Sequence, residues 1–260
     1  MMAEADGQLA ASSSLKLAVV VPVYNEANLI YRNLMSLEAA ARRSDWDLEL
    51  IVVDDGSSDS SSAEIVRFLA EHGEKSSFHR CQHDKNRGKG AAIRTGLRRV
   101  TAPIVVCHDA DLEYDPNDLI RLIRAMDRPG VDVVYGSRCL PMSDNPRRYN
   151  PFAFGVSALN VLTRLLYGIR LTDEATCYKM FRTADLRRMM LECEGFEFCP
   201  EVTAKACRLG LRILEVPISY RPRSVSEGKK IQLRDGWIAM KTLWRFRRWD
   251  VGRNSTTDES

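Results

Sequence analysis

Asp109 and Asp111 stand two residues apart in DADLEYDP (109–116), directly after the apolar run IVVCH. Two carboxylates at that spacing in a turn can converge on one hard divalent cation, with Glu113 in reach as a further or water-mediated ligand. Mg2+ or Mn2+ held in this way keeps the rest of its shell for water and substrate phosphates, so the chemistry on offer is the anchoring of a diphosphate. The same letters also suit an ordinary turn ahead of a helix, where Asp and Pro are common. DDGSSD (54–59) sets acids after another apolar run, where a carboxylate can accept hydrogen bonds from sugar hydroxyls or a base N–H. Gly, Ser and Asp equally make a plain strand-to-helix turn. NRGKGAAIRTG (86–96) places Lys89 and Arg94 among glycines at a helix start, an arrangement able to receive an anion. It lacks GxxxxGK[ST], and no GxGxxG follows the first strand, so neither a P-loop nor a dinucleotide fold is indicated.

The chain that must position these groups has 260 residues, 45% hydrophobic and 28% charged, with 15 Gly, 10 Pro and 7 Cys. That composition excludes collagen-like, disordered and disulfide-stapled classes. The odd number of cysteines and the lack of a CxxC pair read as reduced thiols without a structural zinc site. The four histidines add no metal signature, so any metal is expected on carboxylates. Neither long apolar run, 17–23 or 151–162, reaches the roughly 18 residues a spanning helix needs. The first residues carry acids where a signal peptide has Lys or Arg, so a cytoplasmic location is expected, with 1–14 and 251–260 as tails. Net charge is +3, but Arg221 to Arg248 holds nine Lys and Arg against Glu227 and Asp235, leaving the remainder acidic. An anionic partner is expected at that end: a phosphorylated ligand, a membrane surface or nucleic acid.

Val-rich KLAVVVPVY (16–24) and LELIVVDD (48–55) read as buried parallel strands, APIVVCHDAD and VDVVYGS as two more, and FHRCQ as a weaker one. Between them, Ile30, Leu34, Leu37 and Ala41 have helical spacing, as do 60–73, 88–100 and the stretch opened by Pro116. This β-α-β-α order predicts an α/β fold with a mostly parallel central sheet flanked by helices, and ligands gather at the carboxyl ends of such strands. Beyond residue 140 the spacing predicts helices near 152–167, 184–192, 200–209 and 235–248, and a strand in LRILEVPISY (211–220).

PVYNE (22–26), VVDDGSSD, NRGKGAAIRTG, the DAD turn and GSR (136–138) follow one another at consecutive strand ends. Together with TDEATCYKMFR (172–182), 196–223 and SEGKKIQLRDG (226–236), this order resembles the family 2 glycosyltransferases of GT-A fold. Within them it is most similar to the branch containing dolichol- and polyprenyl-phosphate mannosyltransferases. The resemblance covers about residues 15 to 248 and implies one GT-A domain over that span. Its nucleotide-sugar-binding half would be 15–138 and its acceptor-binding half 139–248.

What the resemblance implies can be placed by residue. Pro22, Tyr24, Glu26 and Asp54 would hold the nucleoside of a GDP- or UDP-hexose, with Lys89, Ala110 and Arg138 lining the same pocket. Asp109, Asp111 and Glu113 would hold Mg2+ or Mn2+. Arg147, Arg148, Arg223 and Lys229 would handle acceptor or donor phosphate, and Asp173 would be the catalytic acid group near the sugar, beside Asp111. The implied activity is an inverting, metal-dependent transfer of a hexose (mannose, glucose or GlcNAc type) to a polyprenyl phosphate. The same core acting on a soluble acceptor is the alternative, and a non-catalytic nucleotide-sugar-binding module a more distant one. Nucleic acid is not an expected partner, because donor and acceptor phosphates already account for the charge. Peripheral membrane contact is a further expectation. Arg147 and Arg148 ahead of an apolar helix, and WIAMKTLWRFRRW (237–249), suit a headgroup layer. The competing expectation is that the Trp side chains of that segment pack on the sheet.

Overall fold

The computed structural model describes residues 15–44, 46–72, 77–142, 153–223 and 233–251. Among the described residues seven strands form: β1 (Lys16–Val23), β2 (Asp47–Asp54), β3 (Ser77–Gln82), β4 (Ile104–Cys107), β5 (Val133–Ser137), β6 (Lys179–Arg182) and β7 (Ile213–Pro217). The helices are α1 (Ile30–Ser44), α2 (Ser61–His72), α3 (Lys89–Leu97), α4 (Leu119–Met126), α5 (Ala153–Tyr167), α6 (Thr183–Arg188), α7 (Phe198–Arg208) and α8 (Leu233–Phe246). β1, β2, β4 and β5 are buried almost throughout, as continuous apolar runs covered by helices on both faces should be. α1 buries Ile30, Leu34, Leu37 and Ala41, the stripe its spacing predicts. The segment opened by Pro116 begins as a single 3-10 turn, with the Asp115 carboxylate accepting the Asn117 N–H, before α4 takes over.

The strands lie in one sheet in the order β3-β2-β1-β4-β6-β5-β7. All neighbours are parallel except β6, which runs antiparallel to both β4 and β5. β1 sits between β2 and β4, with Val20 opposite Ile51 on one side and Cys107 on the other. The chain therefore reverses its winding beside β1, and the carboxyl ends of β2, β1 and β4 open side by side at the crevice where ligands enter such sheets. β6 was not among the expected strands. Because it is antiparallel, it begins where its parallel neighbours end, so the loop 172–178 that leads into it arrives at that same edge.

Two other expectations shift. The helix expected over 184–192 stops at Arg188, and Met190, with φ of 42°, turns the chain away. The strand expected over 211–220 is confined to β7. One large core lies between the sheet and its helices, and a second, built from Leu159, Ala204, Ala239, Leu243 and Phe246, joins α5, α7 and α8. Trp237 and Trp244 are 68% and 54% exposed, so the expectation that α8 packs its Trp side chains on the sheet is corrected; Trp249, past its end, is the buried one. Among the described residues no helix is long and apolar enough to cross a membrane.

Candidate active site

The loop after β1 is held open by its neighbour after β2. Asn25, at a φ of 50° that Asn tolerates, donates its N–H to Ser57 Oγ at 3.1 Å, and its side-chain oxygen accepts the Ser58 N–H at 2.8 Å. Glu26 N–H donates to Ser61 Oγ at 2.8 Å and Ala27 N–H to Asp59 at 3.1 Å. The Ser and Asp groups of 57–61 thus brace the Tyr24–Glu26 loop at the mouth of a cavity of about 700 Å3.

Pro22, Tyr24, Glu26, Lys89, Asp109, Ala110, Asp111, Glu113, Arg138 and Arg223 all line that cavity. Arg147, Arg148 and Lys229 lie outside the described residues. Asp54 does not reach the cavity wall. It is wholly buried, with Oδ1 accepting the Ser57 N–H and Oδ2 left without a partner. Its neighbour Asp55 lines the cavity and binds His83 together with the N–H groups of Arg87 and Gly88, at 2.6–2.9 Å. That carboxylate pins the glycine loop to the sheet edge. The expected anion site at the start of α3 is corrected as well: the N–H groups of Gly90 and Ala91 go to the carbonyls of Gly195 and Glu194. Lys89 serves the site by its side chain, whereas Arg94 turns away to the carbonyls of Leu191 and Glu192.

Asp109, Asp111 and Glu113 share one tight turn whose Leu112 has φ of 60°, a left-handed conformation costing about 1–2 kcal/mol for an L-residue. The turn is supported from below. Asn33 Nδ2 donates to the Asp109 carbonyl and to His108 Nε2, both at 3.0 Å, which leaves His108 Nδ1–H to donate to Tyr178 Oη at 2.8 Å. Burial holds His108 down at about 4, so it is the neutral ring. Asp111 Oδ1 accepts the Glu113 N–H. Burial, with the Asp109 and Glu113 charges beside it, lifts the Asp111 carboxyl to about 7.

Each acid has a cation of the chain against it. Lys89 Nζ is 2.5 Å from Asp109 Oδ1. Burial pushes this ammonium down, but the Asp109 charge and hydrogen bond together with Cys177 and Cys199 outweigh it and hold Lys89 well above its ordinary value. Arg223 reaches Glu26 at 3.2 Å, Asp111 at 3.1 Å and Glu113 at 3.5 Å. Tyr220 Oη donates to Glu113 at 2.5 Å, and the Tyr220 ring lies under Arg138. Among the described residues no three His, Cys, Asp or Glu side chains are gathered as a closed metal site. The turn still fits a hard divalent cation: it offers carboxylate oxygens only, crowded enough to raise Asp111, and those oxygens already gather a guanidinium.

Asp173 does not touch the cavity. It is fully buried, and Arg138 takes both of its oxygens through Nε, Nη2 and the backbone N–H at 2.7–2.9 Å. The expectation that Asp173 meets the sugar is therefore corrected: it positions Arg138, which does line the cavity. The cavity also has walls that the motifs did not announce. Phe196 and Pro200 at α7, Val156 and Leu159 on α5 and Ala239 on α8 add apolar lining, with Asp235 of α8 among them. The signal of this lining in the sequence is only helical periodicity, which does not say which helices meet.

Residues 18–190 match the model of glycosyl transferase family 2. An undecaprenyl-phosphate mannosyltransferase of Micrococcus luteus is 31% identical over 244 residues, covering 91% of this chain and 95% of that protein. A mannosyltransferase from Pyrobaculum calidifontis, solved in complex with GDP-Man and Mn2+, superposes with a TM-score of 0.59 at 25% identity, over 79% of this chain and 56% of the other. Glucosyl-3-phosphoglycerate synthase from Mycobacterium tuberculosis superposes with a TM-score of 0.64 at 19% identity, over 89% of this chain and 80% of that one, a likeness of fold.

Proposed function

The chain belongs to glycosyl transferase family 2 and is a glycosyltransferase of GT-A fold, and from that premise we propose that it passes a hexose from a GDP- or UDP-sugar to a polyprenyl phosphate with inversion. The observation carrying this reading is the cavity itself, which joins the acids and cations of the sheet edge with apolar side chains from α5, α7 and α8. Residues 15–138 supply the donor half and 139–248 the acceptor half, with Arg223 reaching from the second into the first.

Asp109, Asp111 and Glu113 would hold Mg2+ or Mn2+, which when bound neutralises the departing diphosphate. Lys89, Arg138 and Arg223 are fixed where the remaining phosphate charge would develop, so they stabilise the leaving group without moving far. An oxygen of the lipid phosphate attacks the anomeric carbon, the bond from that carbon to the diphosphate oxygen breaks, and nucleoside diphosphate leaves. A phosphate monoester with its second pKa near 6 is mostly dianionic at neutral pH, so the nucleophile needs no base. Asp173, with both oxygens held by Arg138, is in keeping with this.

The outer faces of α5 and α8 would lie on the membrane that carries such an acceptor. Leu165 is 77% exposed, and Trp237 and Trp244, one heptad apart, face outward among the exposed Arg234, Lys241 and Arg248. Incubating purified protein with GDP- and UDP-hexoses, Mn2+ and detergent-dispersed polyprenyl phosphate should yield a glycolipid. No product from any donor would remove the proposal, and equal transfer to a water-soluble phosphate without detergent would move the acceptor away from lipid.

A further inference from the structure

The guanidinium of Arg223 lies inside the acidic cluster rather than at its rim. It spans Glu26, Asp111 and Glu113, and its own backbone N–H donates to Glu113 Oε1 at 3.0 Å. Lys89 holds the remaining acid, Asp109. These side chains are only 11–23% exposed where they pair, apart from the still more buried Glu26 and Glu113, so the attractions are weakly screened. Arg223 Nε is buried and makes no hydrogen bond, standing 3.5 Å from Glu113 Oε1. A buried N–H held at that distance gains from a closer acceptor oxygen.

We propose that Arg223 and Lys89 are exchangeable counter-ions of the 109–113 turn, so that the divalent cation enters as its complex with the nucleoside diphosphate and not as the free ion. The inference rests on the donor-binding reading given above. A free cation drawing on Asp111 and Glu113 competes with Arg223 for the same oxygens and, if it wins, leaves the guanidinium with Glu26 as its remaining carboxylate partner. It also brings no acceptor oxygens for the two side chains it displaces. The metal–diphosphate complex offers positive charge to the carboxylates and phosphate oxygens to the two displaced cations, including the Nε–H that makes no hydrogen bond here. Every buried charge then has a partner before and after the exchange.

Mn2+ binding to the full chain, read from loss of the free-ion electron paramagnetic resonance signal and by calorimetry, tests this with Mn2+ alone and with GDP or UDP. The wild-type chain should bind Mn2+ alone at least roughly tenfold more weakly than with nucleotide. Arg223→Gln should bind Mn2+ alone more tightly, by about 3–10-fold, and lose most of the enhancement by nucleotide. Arg223→Lys, which keeps the charge but cannot span three acids, should fall between. Melting curves accompany each variant, and the Lys variant decides if the Gln variant does not fold. If Arg223 serves phosphate alone, metal-only affinity stays unchanged or falls in the folded variants, and that result overturns the inference. A wild-type chain that binds Mn2+ alone as tightly as with nucleotide overturns it too. A chain in which neither GDP nor UDP binds with Mn2+ overturns the donor reading instead.

Discussion

Asp111 pulls against its surroundings: burial and two neighbouring acids favour its protonated form, while Arg223 and a divalent cation favour the ionised one. A carboxylate held in this tension adds little to stability and much to function. Asp111→Asn should therefore lower turnover by roughly 100-fold or more, with Mn2+ saturating, because the charge facing the departing diphosphate is lost. Its melting temperature should match or exceed that of the wild type, since a raised carboxyl already resists ionisation in the fold; a calorimetric scan beside a transfer assay checks both. Asp173 is the opposite case. It is buried behind Arg138 and gripped by it, so Asp173→Ala leaves the guanidinium without its counter-ion. A loss of about 3–5 kcal/mol in urea unfolding is expected, with a raised KM for the anionic substrate.

At the scale of elements, the turn after β4 is held by partners from three segments. Asn33 on α1, His108 on the strand end and Tyr178 ahead of β6 form one buried chain of hydrogen bonds beneath Asp109. His108 is neutral here because burial lowers its pKa from 6.5 to about 4. Below pH 6.5 the unfolded chain takes up a proton that the folded chain refuses until about pH 4, so stability falls as pH falls through that window. The full effect is on the order of 3 kcal/mol by linkage. His108→Gln, which stays uncharged, should flatten the slope of unfolding free energy between pH 7 and pH 4.5, measured by urea titration at each pH. α3 is placed just as tightly: a Cβ on Gly90 would lie 2.4 Å from the Cys193 carbonyl oxygen. Only glycine lets the helix carrying Lys89 approach 193–195 so closely.

Across the whole molecule, the sheet order brings the ends of β2, β1 and β4 together, while the second core turns α5 and α8 into an outer wall. α8 divides its residues cleanly. Ala239, Leu243 and Phe246 face α5 and α7, whereas Trp237, Ile238 and Trp244 face outward. Replacing both Trp237 and Trp244 by Ser should lower co-sedimentation with vesicles containing anionic phospholipid by roughly tenfold. Nucleotide binding with Mn2+, read by calorimetry, should be unchanged, because neither side chain lines the cavity. Equal sedimentation of both proteins would refute the membrane face.

Local physics carried a good deal of this. Unbroken Val runs declared β1, β2, β4 and β5, the 3.6-residue period declared α1, and acids directly after apolar runs declared the DAD turn, because burial pattern and turn chemistry are properties of neighbours in the chain. Only the tertiary structure decided that Arg138 spends Asp173, that Asp55 rather than Asp54 fronts the cavity, and that Arg223 sits among acids from Glu26 to Glu113. Those pairings join residues tens to nearly two hundred positions apart, and one-dimensional periodicity holds no information about such distances. β6 escaped for a related reason: KMFR has four residues with no alternation of its own, and it becomes a strand because β4 and β5 leave a slot between them. The partner that satisfies a buried group is chosen by the closed fold, in which an unpaired charge is too costly to leave.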